Sequence, residues 1–467
     1  MGDELSVLMI VSDTFRGDYL GSLGGPADTP NLDALAAQSV RFARYQAASF
    51  PTVPARYDYL AGKYAFISNG WAAMPYDETP LPLRIFQGTG NALTAGVVDT
   101  PFYSGYNYNY GFHTFEQFGY ARRVGLRPIS PLPGQVLDAL AKPFQWEEEH
   151  PAPRTMAYAE KVLERLQDER FFLLVDTFDP HEPWNPPEHY ARRYKPDYQA
   201  PPVDPPYARI GEAGMSEDTL ANAHAAYCGT VTMVDRAVGR LMERLDSLQM
   251  SERTVVIFTA DHGFYFGEHD GLFGKMISGH PIYDQPVDDL PPEQRRKRYS
   301  WLRSPLYPEL THVPFLVRYP GEAPRVDARV ASAIDVAPTV LDIFGVAPQS
   351  DYHGTSLLPL LRSSDGVVRD VAVSAMPLGT PGKEVRVVDD ITRYIAEWQP
   401  VTVSDGRHLL IFSRWEDPIE LYDLETDFAC EQNIADAHAD VVKRLHAALV
   451  VELERAGASE EDLTARS

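Results

Sequence analysis

Short, unbroken apolar runs separated by longer stretches of helical periodicity set the pattern of this chain. Residues 7–11, 171–175, 255–259 and 315–318 are four such runs, each too short for a helix and lacking the alternation of a half-exposed strand. They read as strands buried on both faces. Helical stretches lie between them, as at residues 157–166 and 221–245, and Thr29-Pro30-Asn31-Leu32 reads as a capped helix start. Strands alternating with helices predict an α/β fold, a mostly parallel central sheet with helices on both faces. The text changes at Arg362-Ser363-Ser364-Asp365-Gly366. Beyond it, short alternating runs and an amphipathic stretch near 437–456 predict a small C-terminal antiparallel sheet with one helix. The expected division is residues 1–365 and a subdomain, 366–467, packed on them. Residues 285–303 are Pro-rich and carry the basic run Arg295-Arg296-Lys297-Arg298, read as solvated surface with a lid as the alternative. No internal repeat or low-complexity tract is visible.

Polar chemistry collects where the apolar runs end. Asp13 follows the first run; Asp176, Asp179 and His181 follow the second; Asp261 and His262 follow the third. Open α/β sheets bind ligands at the C-terminal ends of their strands, so these groups can converge. Asp13, Asp261 and His262, joined by the hydroxyl of Thr52, form a mixed oxygen and nitrogen donor set for one divalent cation. Such an ion would lower the pKa of the Thr52 hydroxyl and make it a nucleophile. The plainer alternative is that each acidic residue caps the helix after it.

Composition narrows the partners. The chain has 467 residues, 44% of them hydrophobic, which is ample for a large core. Its 42 basic against 66 acidic residues give a formal charge of −24. That surface repels nucleic acid and anionic membrane, so neither is expected as a partner, and any anion site must be locally cationic. No apolar run is long enough for a membrane helix and no secretory signal is visible; the Gly2 and Ser6 match to a myristoylation pattern is too short to weigh. With only Cys228 and Cys430, read as reduced thiols, the expectation is a cytoplasmic chain; homo-oligomerisation is left open.

The stretch Thr52-Val53-Pro54-Ala55-Arg56, with Leu60-Ala61-Gly62 after it, resembles the sulfatase signature Cys-x-Pro-Ser-Arg. Arg56 precedes Gly62 by six residues, as in that signature, which places Thr52 at the cysteine position. A register with Ser49 as nucleophile puts Val53 at the arginine position and is rejected. Thr259-Ala260-Asp261-His262-Gly263 with Gly267-Glu268-His269, Gly274-Lys275, Pro180-His181-Glu182-Pro183, His312-Val313-Pro314 and Glu420-Leu421-Tyr422-Asp423 are similar to further landmarks in family order. The chain is thereby identified as a member of the sulfatase-like branch of the alkaline phosphatase superfamily, with residues 1–365 as its catalytic domain.

That resemblance implies an enzyme acting on phosphoric, phosphonic or sulfuric esters. Arg56 would hold the nucleophile and a non-bridging oxygen, Lys275 would donate to the substrate anion, and His181 or His312 would serve the leaving oxygen or the anion. Three departures bear on the substrate. Thr52 replaces the cysteine that sulfatases convert to formylglycine; Thr14 stands where a second aspartate is usual; and Asp99 and Pro101 replace a lysine and a histidine. Asp99 and Thr100 are therefore the expected substrate contacts in that segment. Fewer anionic ligands with a histidine retained favour Mn²⁺ or Zn²⁺, with Ca²⁺ the alternative. A second metal held by Asp176, Asp179, His181 and His312 is a less favoured reading. The leading expectation is a hydrolase of phosphate diesters or phosphonate monoesters working through a Thr52 ester. The alternatives are a sulfatase lacking formylglycine and a non-catalytic, anion-binding descendant.

Overall fold

The computed structural model describes residues 5–118, 146–199, 203, 205, 207–276, 304–362, 366, 368–377, 399–413, 418–464 and 466. The basic run and residues 363–365 of the expected boundary lie outside these.

The central sheet contains β1 (Ser6–Ser12), β2 (Val40–Gln46), β3 (Leu93–Val98), β4 (Thr114–Gln117), β5 (Phe171–Thr177), β7 (Thr254–Ala260), β10 (Phe315–Arg318) and β11 (Arg325–Ser332), in the order β11-β2-β10-β7-β1-β5-β3-β4. All pairings are parallel except those of β10, which runs antiparallel to both β2 and β7. Every residue of β1, β5 and β7 is buried, as their unbroken apolar text requires. The expected α/β architecture is present, and β10 is the exception that makes the sheet mixed.

Helices cover this sheet, and their ends follow local chemistry. The helix expected at 157–166 runs from Pro151 to Arg165, because prolines are tolerated in a first turn that needs no amide donor. The helix expected at 221–245 is Glu217–Ser247, begun by Ser216, whose hydroxyl accepts from Thr219 N at 3.2 Å.

A three-stranded sheet of β6 (Ala208–Arg209), β9 (Leu272–Gly274) and β8 (Tyr265–Phe266) stands beside the strand ends. The C-terminal sheet is an antiparallel meander of β12 (Ala372–Ala375), β13 (Val401–Ser404), β14 (His408–Phe412) and β15 (Glu420–Asp423). The helix Ala439–Arg455 packs against the protein through Leu445, Leu449 and Leu453, a one-face spacing. Val373, Val401, Leu410 and Leu421 belong to the same continuous core as β1 and β5. The first strand of this sheet also reaches the loop before Thr52. Phe50 N donates to Ala375 O at 2.9 Å, and Ala375 N donates to Ala48 O at 3.0 Å.

Candidate active site at the strand ends

Sheet register brings the acidic residues together. Ser12 of β1 lies opposite Ala260 of β7, so Asp13 and Asp261 emerge side by side at the same edge. Val11 lies opposite Asp176 on the other flank. All three carboxylates are fully buried. Thr14 ties two of them together: its amide donates to Asp261 Oδ1 at 2.9 Å and its hydroxyl to Asp13 Oδ1 at 2.7 Å. It does so from a left-handed backbone (φ 63°), an uncommon conformation for a β-branched residue.

Thr52 opens the helix Thr52–Ala61, which stops at Gly62 in the left-handed conformation. Thr52 and Arg56 are one turn apart and share a helix face. The Arg56 guanidinium grips Asp176 with a fork, Nε to Oδ2 at 3.0 Å and Nη2 to Oδ1 at 2.9 Å. Its remaining nitrogen, Nη1, donates to Asp13 Oδ2 at 2.9 Å, to Asp261 and to the Thr52 carbonyl at 3.4 Å. Thr100 Oγ1 and Tyr103 OH, the latter at 2.8 Å, fill the rest of Asp176. The loop leading into the helix hangs on Asp58, which accepts from Ser49 N at 2.6 Å, Ser49 Oγ at 2.7 Å and Ala65 N at 2.9 Å. Burial pushes the Asp58 carboxyl up to about 7.

The donor set fits a metal. Ligand atoms of Asp13, Asp261 and His262 all lie within 4.8 Å of one another. His262 Nδ1 lies 3.1 Å from the Gly263 carbonyl, which can only accept, so the proton sits there and Nε2 presents its lone pair. That Nε2 is buried, lies 3.4 Å from Asp261 Oδ2 and has no hydrogen-bond partner among the described residues. Burial pushes the imidazole down to about 3, against the pull of Asp261, so the ring is neutral as a ligand must be. Burial and the neighbouring Asp261 raise the Asp13 carboxyl. Asp261, although equally buried, is lowered by Arg56 and His262. Two carboxylates forced together away from water need positive charge beside them; Arg56 Nη1 supplies part of it, and a divalent ion would add to it.

Lys275 and His181 stand on another side of the site. Lys275 Nζ lies 3.3 Å from Glu182 Oε2, and its charge acts on both Asp13 and His262. His181 stacks on Phe178 with ring centroids 3.9 Å apart, and its Nδ1 lies 2.5 Å from the Glu182 carbonyl.

Two expected residues do not join this group. His312 Nε2 donates to the Ala43 carbonyl at 2.9 Å, and its ring packs against Phe428 at 5.2 Å. Its Nε2 is held by a strand carbonyl on β2. Asp99 is a correction of the same kind. Its oxygens accept from Thr155 Oγ1 at 2.5 Å, Phe178 N at 2.6 Å and Thr177 Oγ1 at 3.1 Å, so scaffold donors take the place of substrate. Thr100 likewise serves Asp176. The second-metal reading gains no support from these contacts: Asp176 engages Arg56, Asp179 accepts from Ala152 N at 3.0 Å, and His312 is bonded to the β2 carbonyl of Ala43. Sequence reasoning missed Glu182, Tyr103 and the bridging role of Thr14. The acidic residue beside His181 was the one available signal.

A sulfatase family model matches residues 6–346, which span the three strands that set Asp13, Asp176 and Asp261 and the Thr52 helix. The chain belongs to the sulfatase family. Among curated relatives, it is 26% identical to the ulvan-active sulfatase of Formosa agariphila over 77% of this chain and 65% of that protein. It is 25% identical to an uncharacterised sulfatase of Escherichia coli over 95% of this chain and 86% of the other. The chain thus spans slightly under two thirds of the first relative's length. Its fold is similar to that of a phosphonate monoester hydrolase from Silicibacter pomeroyi, with a TM-score of 0.71 at 22% identity over 97% of this chain and 95% of that one. Members of this family and its superfamily use divalent metal ions, in keeping with the Asp13, Asp261 and His262 cluster. Among the described residues of this sulfatase-family chain, no helix is long and apolar enough to cross a membrane.

Proposed function

We propose that the chain is a metal-dependent hydrolase of phosphate diesters or phosphonate monoesters that works through a covalent ester on Thr52. The observation that carries this reading is the placement of a threonine hydroxyl one helical turn from Arg56, whose Nη1 touches both Asp13 and Asp261. A divalent ion, with Mn²⁺ or Zn²⁺ favoured by two carboxylates and one imidazole, would be held by Asp13, Asp261, His262 and Thr52. It would supply Lewis acidity and favour the alkoxide.

The chain's own residues divide the remaining work. Asp176 aims the Arg56 guanidinium, whose Nη1 would hold a non-bridging oxygen as Thr52 Oγ1 attacks phosphorus, once a metal ion takes its place on Asp13 and Asp261. Lys275 donates to a second equatorial oxygen, where charge grows in the transition state. His181, its Nδ1 proton held by the Glu182 carbonyl, would in its doubly protonated form give its Nε2 proton to the leaving oxygen and recover it from the attacking water in the second step. A threonine ester cannot be expelled by elimination as a formylglycine hydrate can, so a water must attack phosphorus in a second displacement that frees the Thr52 hydroxyl. This favours phosphoryl over sulfuryl chemistry, and the fold likeness to a phosphonate monoester hydrolase adds support.

An aryl-ester panel of phosphodiester, phosphonate, phosphomonoester and sulfate, run with Mn²⁺ or Zn²⁺, tests the reading. Phosphodiester or phosphonate turnover should dominate and should vanish in Thr52→Ala. Full activity in that variant, or dominant sulfate turnover, would overturn it.

A further inference from the structure

Lys275 does not face the site as an unopposed cation. Glu182, 1% exposed, places Oε2 at 3.3 Å from Lys275 Nζ and 3.5 Å from His181 Nδ1, and Tyr207 OH donates to its other oxygen. The fold builds this contact deliberately. Ala208 pairs with Phe273 across β6 and β9, which sets Tyr207 opposite Gly274. Gly274 has φ 129°, and a Cβ there would come within 2.3 Å of Tyr207 Cδ1. The glycine before Lys275 therefore admits the ring whose hydroxyl fixes Glu182.

The consequence concerns charge. Arg56 is met by Asp13, Asp176 and Asp261, and Lys275 is met by Glu182, so four carboxylates face two cations. Among these described groups a bound divalent ion brings the sum to neutrality, so each charge on the ligand goes uncompensated and a dianion is disfavoured about twice as strongly as a monoanion. We propose that Glu182 is a specificity-determining residue that restricts the reacting ester to one negative charge. Phosphate diesters and phosphonate monoesters enter as monoanions, as would sulfate monoesters, whereas phosphate monoester dianions are rejected. This rests on the hydrolase reading above for its place in catalysis, but the charge rule is a property of binding and is measured separately.

The test uses the metal-loaded, full-length protein at mildly alkaline pH. Phenylphosphonate, a dianion there, and its monomethyl ester, a monoanion, are titrated by calorimetry into wild type, Glu182→Gln and Glu182→Ala. Wild type should bind the monoester roughly tenfold or more tightly than the dianion. Removing the carboxylate should strengthen dianion binding by roughly tenfold and monoester binding by roughly threefold, so that their ratio moves by roughly threefold. In parallel, the kcat/KM ratio of para-nitrophenyl phosphate to para-nitrophenyl methylphosphonate should rise by a similar factor. Wild type binding the dianion as tightly as the monoester, or variants that leave the ratio unchanged, would overturn the proposal. Should neither variant fold, the wild-type ratio still decides whether dianions are excluded. Dominant sulfate turnover would sink the phosphoryl reading and leave the charge rule standing, since sulfate esters are also monoanions.

Discussion

The floor and the rim of the site are built in different ways. The floor, comprising Asp13, Asp176, Asp261 and His262, stands on or directly after strands whose register leaves no freedom in where the groups emerge. The rim, comprising His181, Glu182, Tyr207 and Lys275, hangs on a proline-rich turn and on the short strands β6 and β9. A floor fixed by eight hydrogen-bonded strands can hold like charges in contact. A rim of loops adjusts to substrate, and differences in selectivity belong there. Floor variants should therefore change metal content or stability, and rim variants should change which ester is handled.

The largest effect falls on the residue between the two. Thr52→Ala should lower kcat by at least ~10³-fold while Asp13, Asp261 and His262 retain metal, measured by elemental analysis beside steady-state kinetics. His262→Ala should weaken metal binding by ~100-fold or more in a chelator competition, because it removes the orphaned Nε2. Lys275→Met should cut kcat/KM by ~10²-fold and leave metal affinity within a few-fold; a comparable loss of metal would erase the proposed division. Asp176→Asn should cost about 3–5 kcal/mol in urea unfolding, since it leaves the buried Arg56 guanidinium short of a countercharge.

The smallest effect is a pH dependence of the scaffold beneath the rim. Burial, and then Asp99, raise the Asp179 carboxyl from its ordinary 3.8 to about 7. Between those values the folded protein holds this proton more tightly than the unfolded chain, so its contribution to stability falls as pH rises through the window. Asp179→Asn should flatten the stability profile there by an amount on the order of 1–3 kcal/mol, read from urea midpoints at several pH values.

The same division explains what was legible in the sequence. Buried parallel strands have an unmistakable text, and residues that follow them must lie at the sheet edge, so Asp13, Asp261 and His262 could be grouped without coordinates. Arg56 and Thr52 followed from their spacing to Gly62. The antiparallel direction of β10 was hidden because a four-residue apolar run carries no sign of its orientation. Asp99 was misplaced because it too follows a buried strand; Thr155, on a helix 56 residues away, claims its carboxylate. Glu182 was passed over because its meaning depends on Tyr207, which only the pairing of β6 with β9 brings near.

The link between Ala375 and the loop at Ala48 and Phe50 joins positions made at very different moments of synthesis. A ribosome has produced the aspartates, the histidine and the lysine of the site long before it reaches β12. Until that strand emerges, the loop that seats Thr52 lacks two of its backbone partners, so the nascent chain carries its reactive groups before it carries the means to aim them. Emergence of β12 thus supplies the partners that seat this loop.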